Sequence, residues 1–240
     1  MPNQHTYQRI LLKLSGERLR GSQGFGISAD ACKNTAESIK ALHDKGVEIG
    51  LVLGGGNIFR GINAKDLGVS RTPADQIGML ATIMNGVALQ QALAAIGCPS
   101  RVLSAIDCPK IVESYNWQNA MSYLKKNEVL IFVGGTGNPY FTTDTAAALR
   151  ASEINAQILM KATKVNGVYN KDPLKFPDAI KYNEISYSQV LAEKLEVMDA
   201  TSIALCMHNR IPILVFHMQL LAQDQIETLI LGKEQGTLIH

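Results

Sequence analysis

Short apolar runs alternate along this chain with longer stretches whose apolar positions recur at helical spacing. RILLKLSG reads as a strand, and SADACKNTAESIKALHDKG after it reads as a helix. Cys32, Ala36, Ile39 and Leu42 share one face of that helix, Ser28 is its expected cap, and Gly46 closes it. VEIGLVL is apolar throughout, as a strand covered on both faces is. TPADQIGMLATIMNGVALQQALAAIG predicts one long helix, with Thr72 as cap, Pro73 at the first helical position and Asp75 in the first turn. Strand RVLSAI, helix NWQNAMSYLKKN, strand EVLIFVGG, helix TTDTAAALRASEIN and strand AQILMKAT follow. A polar, turn-rich loop, KVNGVYNKDPLKFPDA, precedes helices around Ser188 to Leu195 and Ala200 to Asn209. The strand IPILVFH and a closing segment GTLI end the chain. Such alternation predicts an α/β fold with a mainly parallel sheet and helices on both faces, and ligands then bind beyond the carboxyl ends of the strands.

Composition narrows the class. The chain has 240 residues, of which 46% are hydrophobic and 18% charged, which excludes a disordered chain and supplies a large core. A net charge of +2, from 23 basic and 21 acidic residues, marks no nucleic-acid or membrane surface, so any polyanion site must be local. Cys32, Cys98, Cys108 and Cys206 form no CxxC pair and no zinc spacing, and read as reduced thiols of a cytoplasmic protein. MPNQHTYQR runs straight into a strand, so no signal peptide is expected. Asn85, Gln90 and Gln91 interrupt the longest apolar stretch, so none is expected to reach bilayer-spanning length. The alternation continues over residues 1–240 without repeats, and one domain is expected.

The strand ends carry the candidate chemistry. LVLGGGNIFRG ends an apolar run in three glycines, whose bare N–H groups let a phosphate approach. A helical turn starting at Asn57 would add a dipole favouring an anion, and Arg60 a planar five-donor guanidinium. A tight strand-to-helix connection explains the glycines equally well. Lys13, in KLSG, interrupts an otherwise apolar strand. It is either an edge lysine or, with Ser15 and Gly16 beside it, a phosphate contact. GxxxxGK[ST], a GxGxxG after the first strand, and the HRD and DFG pair are all absent. In GGTGNPYFTTDTAA, one hydroxyl suffices to cap a helix. The surplus hydroxyls and amide suit a base or sugar, and Asp144 suits a lysine or a metal-bound phosphate. Lys161 lies within an apolar strand, where a buried ammonium requires a partner or an anion. Thr163, Tyr169 and Asp172 follow it in a loop able to surround a base.

Taken together, KLSGE, GGGNIFRG, MLATIMNG, GGTGNPYFTTD, KATKVNGVY and VMD, in that order along essentially the whole chain, resemble the bacterial uridylate kinase family of the amino-acid kinase superfamily. The resemblance implies a three-layer αβα sandwich, a homohexamer, and transfer of the ATP γ-phosphate to UMP with Mg²⁺ in pyrimidine nucleotide biosynthesis. It implies ATP contacts at Lys13, Leu14, Ser15, Gly16, Gly56, Arg60, Thr163, Tyr169 and Asp172. UMP contacts are implied at Gly55, Asp75, Thr136, Gly137, Asn138, Pro139, Tyr140, Phe141, Thr142 and Thr143, with Lys13, Asp144 and Lys161 at the transferred phosphoryl. Activation by GTP is implied through Gly21, Ser22, Gln23, Gly24, Phe25 and Gly26, and inhibition by UTP. The chemistry agrees: a phosphate acceptor with its second pKa near 6 is already nucleophilic, so no base is needed, and Asp144 is an organiser. Asp75, an anion, suits the ribose hydroxyls rather than a phosphate. Two alternatives stand beside this reading: a sister enzyme phosphorylating a carboxylate or carbamate, and a non-catalytic nucleotide sensor. No protein metal ligand is expected, since the nucleotide phosphates can carry Mg²⁺.

Overall fold

The computed structural model describes residues 7–60, 68–222, 225, 228 and 235–240. Gly61, in the glycine-rich stretch, and the first six residues, on which the leader reading partly rests, lie outside them. In chain order the elements are β1 (Arg9–Leu14), α1 (Glu17–Arg20), α2 (Ala29–His43), β2 (Glu48–Leu53), α3 (Arg71–Ala95), β3 (Ser100–Ser104), β4 (Glu113–Ser114), α4 (Trp117–Lys125), β5 (Val129–Val133), α5 (Thr143–Glu153), β6 (Ile158–Thr163), β7 (Glu184–Ile185), α6 (Tyr187–Ala192), α7 (Ala200–Asn209), β8 (Ile213–His217) and β9 (Gly236–Ile239). The periodicity located every long element; α1, β4 and β7 are too short to carry a period.

Among the described residues nine strands form one sheet in the order β4-β3-β5-β2-β1-β6-β8-β9-β7. The strands from β4 to β8 run parallel, and β9 turns antiparallel to β8. Apolar residues on both faces of the central strands are explained by a helical layer on each side. Ile10, Leu12 and Leu14 meet Ile39, Leu42, Leu89 and Leu93 of α2 and α3. Leu11, Val52, Leu130 and Leu159 meet Ala146, Ala147, Ala148 and Ala151 of α5 on the other face. Burying one such Leu or Ile side chain contributes roughly 1.5–3 kcal/mol. The alanine face of α5 lets its backbone lie close to the sheet, which brings its first residues near the strand ends. This is the expected three-layer αβα sandwich.

Three local expectations change. Ser70, not Thr72, is the N-cap of α3, with no side-chain capping bond, and Pro73 falls third in the helix. The chain can start early because the first three amides of a helix need no intrahelical acceptor, so Pro73 is tolerated there. Asp75 therefore lies beyond the first turn, where the dipole acts little on it. Asn57 starts no helix: residues 56–58 form a lone turn, with Ile58 and Phe59 N–H on the Gly55 carbonyl. Finally, α3 is long and apolar enough by composition to span a bilayer, against the expectation from Asn85, Gln90 and Gln91. Two or three neutral amides do not offset so many Leu, Ile, Met and Ala. Its apolar face is spent on the sheet, with Ile83, Leu89 and Leu93 buried there.

Candidate active site

Parallel pairing sets the first element of the site. In the β1–β6 register Lys13 lies directly opposite Lys161. Residues at matched positions on adjacent strands point to the same face about 5 Å apart. Two ammonium groups are thereby forced together at the carboxyl ends of the two central strands, on the face that α5 covers. α5 answers them with Asp144, its second residue. Lys13 Nζ lies 2.7 Å from Oδ1 and Lys161 Nζ 2.6 Å from Oδ2, and each of the three side chains is only 12–13% exposed. Lys161 also donates to the Val197 carbonyl at 2.5 Å. Lys13 is thus no edge lysine, because β1 lies between β2 and β6.

The electrostatics follow from this crowding. Burial pushes the Asp144 carboxyl up, but the charges and hydrogen bonds of the two lysines outweigh it and hold it below the ordinary carboxylate value. Burial lowers Lys161 below an ordinary lysine, with Lys13 acting the same way and Asp144 only partly opposing. Within this trio two cations share one carboxylate, and the charge of Asp199 also reaches Lys161.

A second carboxylate repeats the pattern. Glu17, at the start of α1, meets Arg60 Nη2 at 2.6 Å through Oε1 and Lys164 Nζ at 2.6 Å through Oε2. The hydrogen bond from Lys164 leads the causes that hold its carboxyl below the ordinary value. This bridge joins the turn after β1, the glycine loop after β2 and the loop after β6. Arg60 also donates to the Gly56 carbonyl at 3.0 Å.

The glycines now separate by cause. A Cβ on Gly16 would lie 2.3 Å from Asn57 Oδ1 and 2.4 Å from the Gly54 carbonyl, and one on Gly55 would lie 2.8 Å from the Gly78 carbonyl of α3. Packing alone requires those two. Among the described residues, a Cβ on Gly56 would meet nothing within 4 Å, as at a glycine that faces a ligand.

The remaining expected residues divide in the same way. Leu14 is buried in the core, and its carbonyl receives the Gly54 N–H at 3.0 Å. Ser15 Oγ accepts the Glu17 N–H at 3.3 Å. Asp75 reaches from α3 to the loop at 136–143, where its Oδ2 accepts the Tyr140 N–H at 2.8 Å. Arg71 stands 3.6 Å from the same oxygen and lies over the Tyr140 ring. Thr136 and Asn138 bond each other across the turn that contains Gly137, while Tyr140 and Phe141 are exposed beyond Pro139. Thr142 caps α5, and Thr143 opens it. Thr163 Oγ1 donates to the Val165 carbonyl at the end of β6. Tyr169 and Asp172 stand further out, in a loop pinned by a Tyr169–Lys181 bridge and by Asp172 Oδ1 accepting the Leu174 N–H. Asp172 also stands 3.6 Å from Lys175, and among the described residues no contact joins Tyr169 or Asp172 to Lys13 or Lys161. Of Gly21 to Gly26, the last residue meets the glycine loop, with the Gly26 N–H on the Asn57 carbonyl at 2.8 Å.

Three residues escaped the sequence reading. Glu17 and Lys164 are polar residues in turns, indistinguishable there from solvated ones. Asp199 was visible only as the last letter of VMD. It caps α7 at Ser202 N–H, accepts Thr142 Oγ1 at 2.5 Å, and accepts Thr145 Oγ1 at 2.9 Å. It thus ties the end of the 136–143 loop to the start of α7, two residues after the Val197 carbonyl that Lys161 meets.

For a metal, the donors do not fit. Among the described residues there is no group of three or more His, Cys, Asp or Glu placed to hold one. Both oxygens of Asp144 are engaged by lysines.

Comparison with known proteins gives a concordant result. Residues 8–217 match the amino acid kinase family. The chain is 60% identical over 232 residues to a uridylate kinase of Protochlamydia amoebophila (strain UWE25), covering 97% of this chain and 92% of that protein. It is 48% identical over 234 residues to a uridylate kinase of Aeromonas salmonicida (strain A449), covering 98% and 95%. The crystal structure of UMP kinase from Ureaplasma parvum superposes with a TM-score of 0.91 at 40% identity, covering 97% of this chain and 98% of that one.

Proposed function

The chain belongs to the amino acid kinase family, and from that premise we propose that it transfers the γ-phosphoryl group of ATP to UMP, giving UDP and ADP. The observation that carries the reading is the pair of lysines locked in register on one carboxylate at the sheet's carboxyl rim. The acceptor phosphate, with a second pKa near 6, is already largely dianionic at neutral pH and needs no base. The barrier lies in bringing two polyanions together: like unit charges 4 Å apart repel by about 4 kcal/mol at an effective dielectric of 20. Lys13 and Lys161 offset that repulsion and stabilise charge on the transferring oxygens. Asp144 holds the two ammonium groups in place and takes no proton.

ATP is assigned to Lys13, Leu14, Ser15, Gly16, Gly56 and Arg60 for its phosphates and to Thr163, Tyr169 and Asp172 for its nucleoside. UMP is assigned to Gly55, to the run Thr136–Thr143, and to Asp75, whose carboxylate suits ribose hydroxyls. Mg²⁺ would be held by the phosphates of ATP and would supply charge neutralisation there. Among the described residues no group of three or more His, Cys, Asp or Glu stands ready to hold it in place of those phosphates. GTP activation through Gly21–Gly26, UTP inhibition, a homohexamer, a cytoplasmic setting, a single domain and a place in pyrimidine biosynthesis belong to the same reading and rest on the family resemblance. Exposed Ile77, Leu80 and Met84, on one stripe of α3, favour a subunit contact.

Incubating the protein with MgATP and a panel of acceptors tests the reading. UMP consumed with equal formation of UDP and ADP is expected. Phosphorylation of a carboxylate or carbamate with UMP untouched would assign a sister activity. Binding of nucleotides without turnover would make the protein a sensor.

A further inference from the structure

Two asparagines that the mechanism does not use are sealed inside the fold: Asn57 is 2% exposed and Asn85 0%. A buried amide is costly unless its donors find partners. Here all four amide protons do. Asn57 Nδ2 donates to the Gly26 carbonyl and to Asn85 Oδ1, both at 2.9 Å. Asn85 Nδ2 donates to the Gly54 carbonyl at 2.8 Å and to Asn57 Oδ1 at 2.7 Å. The orientation of both amides is dictated, because the Gly26 and Gly54 carbonyls accept only, and turning either amide round would set oxygen against oxygen.

Four segments converge on this pair. Asn85 comes from α3, which packs firmly on the sheet. Asn57 and Gly54 are the ends of the glycine loop, and Gly26 closes the segment after α1. The turn after β1 is pressed onto the pair, since a Cβ on Gly16 would strike Asn57 Oδ1. The Gly54 N–H reaches the Leu14 carbonyl, completing the seam between the first two strand ends.

We propose that Asn57 and Asn85 form a positioning clamp for phosphate binding: anchored on α3, they hold the loop Gly54–Gly56 at a set distance from Lys13–Gly16, so that bare amides and cations converge on one anion. The proposal rests on the reading that ATP phosphates lie between those two turns. A leucine at 85 would fill the space but leave the Gly54 carbonyl and Asn57 Oδ1 without donors, and the loop would relax to regain them.

The test compares Asn85→Leu and Asn85→Ser with the unaltered protein, reading kcat, both KM values and amide hydrogen exchange. For Asn85→Leu the KM for ATP is expected to rise about tenfold, as loss of a buried hydrogen bond implies. The KM for UMP is expected to move several-fold less, and exchange protection to fall at residues 54–57. Asn85→Ser keeps a hydroxyl donor and leaves space for water, so it shows the same pattern more weakly. It stands in if the leucine variant does not fold. A lowered melting temperature with both KM values unchanged, or equal rises in both, would overturn the clamp and leave a purely structural pair. Should the unaltered protein fail to use ATP, the functional reading falls on its own, and unchanged exchange protection at residues 54–57 in Asn85→Leu would separately show that the pair does not hold the loop.

Discussion

The two rims of the parallel sheet handle charge in opposite ways. At the amino rim, Arg9 of β1 faces Glu48 of β2, with Nε 2.5 Å from Oε2, and its Nη1 donates to the Ile154 carbonyl at 2.7 Å. One cation meets one anion and the account is closed. At the carboxyl rim two carboxylates meet two cations each: Asp144 with Lys13 and Lys161, Glu17 with Arg60 and Lys164. A balanced pair secures the sheet, whereas an excess of partly buried positive charge is tolerable only where an anion visits. The same strands build both rims, and what separates them is the ratio of cations to carboxylates.

The sharpest way to break that contrast is Lys161→Ala. Removing one preorganised cation from a transferring phosphoryl should lower kcat by roughly 10²–10³-fold. Steady-state kinetics should show little change in either KM, and normal kcat with high KM would remove Lys161 from the chemistry. Next in size is Asp75→Asn. The amide can still accept the Tyr140 N–H, so the loop holds, but the charge on the ribose side is lost. The KM for UMP should rise about tenfold, the worth of one charge-assisted hydrogen bond, with the KM for ATP little altered. Equal rises would detach Asp75 from the UMP side.

A smaller effect sharpens the electrostatic half. The Asp144 carboxyl sits below its ordinary value in the fold, so its stabilising contribution is full above that ordinary value and fades as pH falls through the depressed one. Thermal melts of Asp144→Asn should therefore lose stability less steeply than the unaltered protein below about pH 4. Identical slopes would mean that the triad is not coupled to folding. Smallest is the amino rim: Arg9→Ala should cost about 1 kcal/mol of stability in denaturant melts and leave kcat within twofold. A large drop in kcat there would erase the distinction between the rims.

Much of this was legible before the fold. Lys13 and Lys161 stand out because each breaks an apolar run, and a buried ammonium demands a partner whatever the fold. The glycine loops stand out as several strand ends of one kind. Glu17, Lys164 and Asp199 could not stand out, since an acid or a lysine in a turn looks the same whether water or a neighbour solvates it. Thr72 was a plausible cap, but Ser70 two residues earlier serves as well, and capping chemistry alone does not choose between them. The roles of Gly16 and Gly56 also look alike as letters; a Cβ on the first would clash, and one on the second would meet none of the described residues.

By itself the sequence determined the strand–helix alternation, the two-faced core and the residues unable to rest in that core without an anion or a partner, because each depends on spacing and local chemistry. Tertiary structure alone decided that Lys13 stands opposite Lys161, that one carboxylate serves both, and that the Asn57–Asn85 pair lies beneath the glycine loop. Those facts depend on strand register and on which helix covers which face. Both are settled by packing among residues far apart in the chain, and no local pattern encodes them.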